Sequence, residues 1–181
     1  MFQMELINQC KRHNRKAQLK LYNKYCDSMF IVARRFMKND PDAEDAMQEA
    51  FIKAFQKLDQ FKAEVTFGAW LKRIVVHTCI DKLKLNRLEL LRLDESYMNV
   101  VDQSETLMVE DGITIEQVKE CIEMLPEKYK YVVMLYLIEG YDHQEISEIL
   151  AITQVASRTQ LLRGKKKLQE LLKHQKNGTR H

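Results

Sequence analysis

Glycine and proline are scarce in this chain: 181 residues contain five Gly and two Pro, Pro41 and Pro126, whereas Leu, Lys, Glu, Gln, Met and Ala abound. With so few breakers and so many helix formers in nearly every window, an all-α protein is predicted. No run of about 18 apolar residues occurs, so no helix is expected to insert in a membrane. The N-terminal stretch MFQMELINQCKRHNRK also lacks the apolar segment of a signal peptide. Cys10, Cys26, Cys79 and Cys121 are widely scattered, with no C-x-x-C pair and no His placed to complete a zinc set. They read as reduced thiols, and the chain as cytoplasmic. No Ser-His-Asp set, phosphate-binding Gly-rich loop or metal cluster can be assembled from the motifs, so neither enzymatic activity nor a cofactor is expected.

What is present is a segregated charge pattern behind a formal net charge of +3. Asn39 to Ile52 contains no Lys or Arg but holds Asp40, Asp42, Glu44, Asp45 and Glu49, and cations are absent again from Leu93 to Val118. Between Lys72 and Arg92, six cations face only Asp81 and Glu89. From Arg158 onward, eight Lys and Arg accompany Glu170 alone. Two basic surfaces separated by an acidic connector suit a polyanion held at two places. Charge runs of this kind are more often ordinary solvated helix faces.

Helical spacing organises the chain. Leu19, Tyr22, Tyr25, Cys26, Met29, Phe30, Ala33 and Met37 predict one helix over residues 15 to 38. Asp40-Pro41 starts a second, with Ala43, Ala46, Met47, Ala50, Phe51, Ala54, Phe55 and Leu58 as its core stripe. The opposite face presents Asp42, Asp45, Gln48, Glu49 and Lys53. Acids near a helix N-terminus compensate its dipole by about 0.3 to 1 kcal/mol each, which is reason enough for them to be there. Spacing would also permit a metal at Asp42, Asp45 and Glu49, but nothing supplies further oxygen ligands in a fixed loop.

Residues 61 to 68, FKAEVTFG, form an irregular segment whose aromatic and short polar groups suit an unstacked base. Phe61 and Phe67 would equally serve as loop anchors. The helix from Ala69 to about Leu85 turns Trp70, Leu71, Ile74, Val75, Thr78, Ile80 and Leu83 inward and Lys72, Arg73, Val76, His77 and Lys84 outward. Residues 142 to 172 then read as two short helices joined at Ala151-Ile152-Thr153, a helix-turn-helix pattern. Ile146, Ile149, Leu150, Ile152 and Leu161 would pack the pair, leaving Arg158, Thr159, Gln160 and Arg163 outside for a DNA groove.

DAEDAMQEAFIKAFQKL followed by FKAEVTFGAWLKRIVVHTCIDKLK resembles the core domain of extracytoplasmic-function (ECF) sigma factors of bacterial RNA polymerase. LPEKYKYVVMLYLIEGYDHQEISEILAITQVASRTQLLRGKKKL resembles their second domain. The resemblance implies residues 1 to 87 as region 2, 88 to 113 as a flexible acidic linker threading the polymerase, and 114 to 181 as region 4. It implies that Asp45, Gln48, Glu49 and Lys53 grip the beta-prime clamp helices of core RNA polymerase, with the beta flap as a second contact. Lys62, Thr66 and Phe67, with Lys72, Arg73 and His77 on the adjoining helix, would meet the downstream promoter element and capture an extruded base. Gln154, Ser157, Arg158, Thr159, Arg163, Lys165 and Lys167 would meet the upstream element. Promoter DNA and an anti-sigma factor complete the implied partners.

This sequence departs from the family pattern at several positions. His77 stands where Asn is usual, which alters the hydrogen bonds offered to a base. Val155 and Ala156 replace the usual Gly and Thr, removing a hydroxyl that would cap the recognition helix. Gly164, usually Ala, is expected to weaken that helix by about 1 kcal/mol. The main rival is a helix-turn-helix transcriptional regulator acting without polymerase, and the other a helical adaptor that binds no DNA. Strong salt dependence would separate DNA binding from the adaptor.

Overall fold

The computed structural model describes residues 2–85 and 113–178; the linker expected over 88 to 113 lies almost wholly outside them. Among the described residues every regular element is helical. The chain divides into two compact units, Met1–Asp94 and Glu95–His181.

In the first unit, α1 (Phe2–Lys11), α2 (Arg15–Phe36), α3 (Asp40–Gln56) and α4 (Phe67–Leu85) pack around an apolar centre, with a 3-10 turn at Leu58–Gln60 after α3. Local chemistry sets the helix starts. Asn14 accepts from the Ala17 amide at 3.1 Å, Asn39 from the Asp42 amide at 2.8 Å, and Thr66 from the Ala69 amide at 3.2 Å. The α3 stripe is buried as its spacing predicts, with Ala43, Ala46, Met47, Ala50, Phe51 and Ala54 all inside. Its small side chains let α2 and α4 approach on either side.

Two assignments of face are corrected. Leu19 is 60% exposed, and α2 buries Ala17, Leu21, Val32 and Phe36 along with the predicted Met29 and Ala33. Val76, expected outside, is fully buried beside Val75 and Cys79, because α4 is covered by both α2 and α3 and so has a wider apolar face than one stripe. Burial raises the Cys79 thiol pKa to about 12 and lifts those of Cys10 and Cys121, so these three stay protonated and unreactive at neutral pH. Helix α1, which no sequence pattern above identified, buries Ile7 and Cys10 and donates from Lys11 Nζ to the Phe61 carbonyl at 3.4 Å.

In the second unit, α5 (Ile115–Glu123), α6 (Glu127–Val133), a π-helical turn at Met134–Ile138 and α7 (His143–Leu150) surround α8 (Gln154–Gly178). Capping boxes at Thr114/Gln117 and Asp142/Glu145 start α5 and α7. The helix-turn-helix is present with its turn where predicted: Ala151 takes a left-handed conformation at φ 56°, ending α7, and Thr153 accepts from the Ala156 amide at 3.0 Å, opening α8. Thr153 thereby supplies a side-chain cap to α8 although position 156 carries no hydroxyl. The second helix is not short; it continues for 25 residues.

Candidate nucleic-acid and polymerase interface

On α3, Asp45 and Gln48 are exposed and Glu49 and Lys53 half-exposed, giving one polar face. This face is already cross-linked by charge. Lys82, arriving from α4, lies 2.6 Å from Asp45 Oδ2 and 2.9 Å from Glu49 Oε2, while Lys53 lies 2.8 Å from Glu49 Oε1. Gln48 donates to Glu44 at 3.1 Å, and Lys53 also reaches Thr78 Oγ1 at 3.5 Å. In sequence Lys82 lies within the basic run from Lys72 to Arg92. Its pairing across 37 residues of chain has no signature in local spacing.

The ion pairs show in the titration of both partners. Hydrogen bonding from Lys53 and then Lys82 holds the Glu49 carboxyl below its usual 4.5, against the opposing effect of partial burial. Hydrogen bonds to Asp45 and Glu49 hold Lys82 above its usual 10.5. A lowered carboxyl pKa stabilises the folded chain above the unfolded value and loses that contribution as pH falls through the folded one; a raised ammonium pKa contributes below 10.5 and loses it above. The attachment of α3 to α4 should therefore weaken below pH 4.5 and above pH 10.5. Thermal unfolding across pH should show a shallower acid limb for Glu49→Gln than for the wild type; coincident curves would mean that Glu49 contributes nothing to the acid response.

The loop between α3 and α4 presents Lys62 and Thr66 to solvent, with Ala63 in a left-handed conformation at φ 60°. Phe67 is corrected. Its ring is 2% exposed and packs against Tyr25, Phe61 and Trp70 at centroid separations of 5.3 to 5.6 Å. Packed on these aromatics, Phe67, like Phe61, anchors the loop, and both rings also border the cleft beside it. The loop and α1 flank this open cleft of about 510 Å³, with Gln3, Met4, Val65 and Thr66 also among its walls. On α4, Arg73 is exposed, and Lys72 and His77 are half-exposed.

On α8, Gln154, Arg158, Arg163 and Lys167 are exposed and Lys165 is half-exposed. Ser157 and Thr159 are corrected, being fully buried and 7% exposed. Ser157 faces α7, where its hydroxyl lies 2.8 Å from His143 Nδ1, and His143 stacks on Tyr136 at 5.0 Å. Lys165 in turn covers the other part of this cluster, its Nζ 5.5 Å from the Tyr136 ring centre. These groups fasten α8 to α7 and to the π-helical turn. Gly164 is corrected as well, since a Cβ there would stand 2.5 Å from Val133 Cγ2 and 3.2 Å from Tyr129 Cβ. The glycine permits close approach of α6 and α8.

Among the described residues no group of three or more His, Cys, Asp or Glu side chains is placed to hold a metal, and no helix is long and apolar enough to cross a membrane. A helix-turn-helix with an exposed basic recognition helix, joined in one chain to a helical unit with a cross-linked acidic face, describes a class of transcription protein that meets DNA and protein together.

The chain matches the family models described as Sigma-70 region 2 over residues 21–88 and Sigma-70, region 4 over residues 115–168. It is 28% identical over 180 residues to the ECF RNA polymerase sigma factor SigW of Bacillus subtilis (strain 168), covering 92% of this chain and 95% of that protein. It is 25% identical over 175 residues to the ECF RNA polymerase sigma-E factor of Escherichia coli (strain K12), covering 88% of each. Among solved structures it is similar to the sigma factor RpoE of Bartonella quintana in complex with the anti-sigma factor NepR, at 19% identity, with 85% of this chain and 95% of that chain covered and a TM-score of 0.56. The chain belongs to the sigma-70 family, as a sigma factor of the ECF type.

Proposed function

We propose that this sigma factor divides its work between its two units, with residues 1 to 87 binding core RNA polymerase and opening the promoter and residues 114 to 181 holding duplex DNA upstream. The observation that carries this reading is the contrast between the polar face of α3, rich in carboxylates, and the exposed cations of α8. Asp45, Gln48, Glu49 and Lys53 are assigned to the beta-prime clamp helices. Carboxylates presented on a rigid helix suit a basic protein surface and repel a phosphate backbone. Thr66, on the wall of the cleft beside α1, and the exposed Lys62 of the same loop, with Lys72, Arg73 and His77 on α4, are assigned to the downstream element; the cleft is roomy enough for an extruded base. Gln154, Arg158, Arg163, Lys165 and Lys167 are assigned to the upstream element, with the arginines and Gln154 suited to base edges and the lysines to phosphates.

The protein catalyses no covalent step in this scheme. It acts in the cytoplasm by positioning polymerase, and the two DNA contacts reinforce one another through effective concentration. An anti-sigma factor that covers the polymerase-binding surface is the proposed inhibitor, as the family resemblance implies.

Run-off transcription with purified bacterial core RNA polymerase tests the assignment. Asp45→Ala should abolish discrete start sites by lowering polymerase affinity. Arg158→Ala and Arg163→Ala should each weaken promoter binding by about 1–3 kcal/mol while leaving polymerase affinity intact. Equal loss of both activities in every variant would sink the division of labour. Operator binding without polymerase would favour the plain regulator.

A further inference from the structure

Lys82 lies beneath the face assigned to polymerase rather than beside it: its side chain is 26% exposed, against 70% for Asp45. Of the four carboxylate oxygens on Asp45 and Glu49, three already have an ammonium nitrogen within 2.9 Å. Lys82 takes Asp45 Oδ2 and Glu49 Oε2, and Lys53 takes Glu49 Oε1. A partner arginine reaches its strongest geometry by donating in parallel to both oxygens of one carboxylate. At Glu49 neither oxygen is uncommitted. At Asp45, Oδ1 has no ammonium among the described residues.

We infer that Lys82 is a built-in competitor for this face: its ammonium occupies the carboxylate oxygens that a partner's guanidinium would take, so that docking exchanges one ion pair for another. The inference rests on the assignment of Asp45 and Glu49 to polymerase. Affinity is then set by a difference between internal and external pairs. The raised pKa of Lys82 keeps it charged at every physiological pH, so the competition is constant rather than switched by pH. Lys82 also keeps the isolated factor from presenting a bare acidic face, which would attract cationic surfaces indiscriminately. A partner offering arginine forks at the right spacing can displace it; a scatter of single lysines gains little over the lysine already there.

The test is titration of the full-length protein against purified core RNA polymerase, comparing wild type, Lys82→Gln, Lys82→Met, Asp45→Ala and the Lys82→Gln/Asp45→Ala double variant. Thermal unfolding of each verifies that it folds; Lys82→Met keeps most of the apolar stem if Lys82→Gln proves unstable. Exposed pairs of this kind are individually weak, so loss of the competitor should tighten polymerase binding by roughly two- to fivefold at low salt. The gain should shrink at high salt and be smaller in the Asp45→Ala background. Weakened or unchanged binding in both Lys82 variants, with Asp45→Ala still impaired, would overturn the inference and leave the polymerase assignment standing. If Asp45→Ala binds polymerase as well as wild type does, the assignment itself fails and the inference fails with it.

Discussion

Phe67→Ala should unfold the N-terminal unit rather than merely blunt promoter recognition. The Phe67 ring is 2% exposed, sits between Tyr25 and Phe61, and touches Trp70 in the same cluster. Truncating a buried Phe removes its transfer energy and leaves a cavity, a cost of about 3–5 kcal/mol. That is a large part of the stability of a unit this small. The expected readout is a much lower melting temperature for the first unit, accompanied by loss of both polymerase and promoter binding. Thr66→Ala, next door but exposed, removes the hydroxyl that caps α4, and should cost about 1 kcal/mol of stability. If Phe67→Ala melts like wild type yet fails at promoter opening, the ring is in contact with DNA, and the aromatic packing described above is not its role.

Gly164→Ala runs against intuition based on helix propensity. In an unconstrained helix the change would stabilise by about 1 kcal/mol. Here the added methyl would lie 2.5 Å from Val133 Cγ2, and Val133 is itself fully buried. Close-packed interiors do not yield by that much without moving backbone, and overpacking costs about 1–3 kcal/mol. The expected net result is a less stable second unit, with weakened binding of upstream DNA because α8 can no longer seat against α6. Val133→Ala makes room at the contact point, so the double variant should be more stable than the two single costs predict. A Gly164→Ala protein that melts higher than wild type would show that α6 can shift away at little cost.

These cases mark how far the sequence could be read. Helix existence was legible because it depends on spacing within one segment: the α3 stripe, the Asp40-Pro41 helix start and the turn at Ala151 all act over a few residues. The exposed candidates Asp45, Lys62, Arg158 and Arg163 were legible for the same reason, as polar residues off the apolar stripe. Ser157 and Thr159 were misassigned because a polar residue on a helix reads as exposed until its neighbours are known. Ser157 is buried against His143, fourteen residues earlier, on another helix. Helix α1 was not identified from the sequence, although it supplies one wall of the cleft.

The sequence by itself determined the all-helical class, the positions of most helices, the helix-turn-helix and the segregation of acid from base, because each depends on residues three or four apart or on counts along a segment. Only tertiary structure decided that Phe67 is an anchor, that Gly164 is a point of close approach and that Lys82 reaches across to Asp45 and Glu49. Those are distances between separate helices, set by how α2, α3 and α4 pack in one unit and α6, α7 and α8 in the other. No periodicity along a single chain encodes them, since each depends on which face of one helix meets which face of the next.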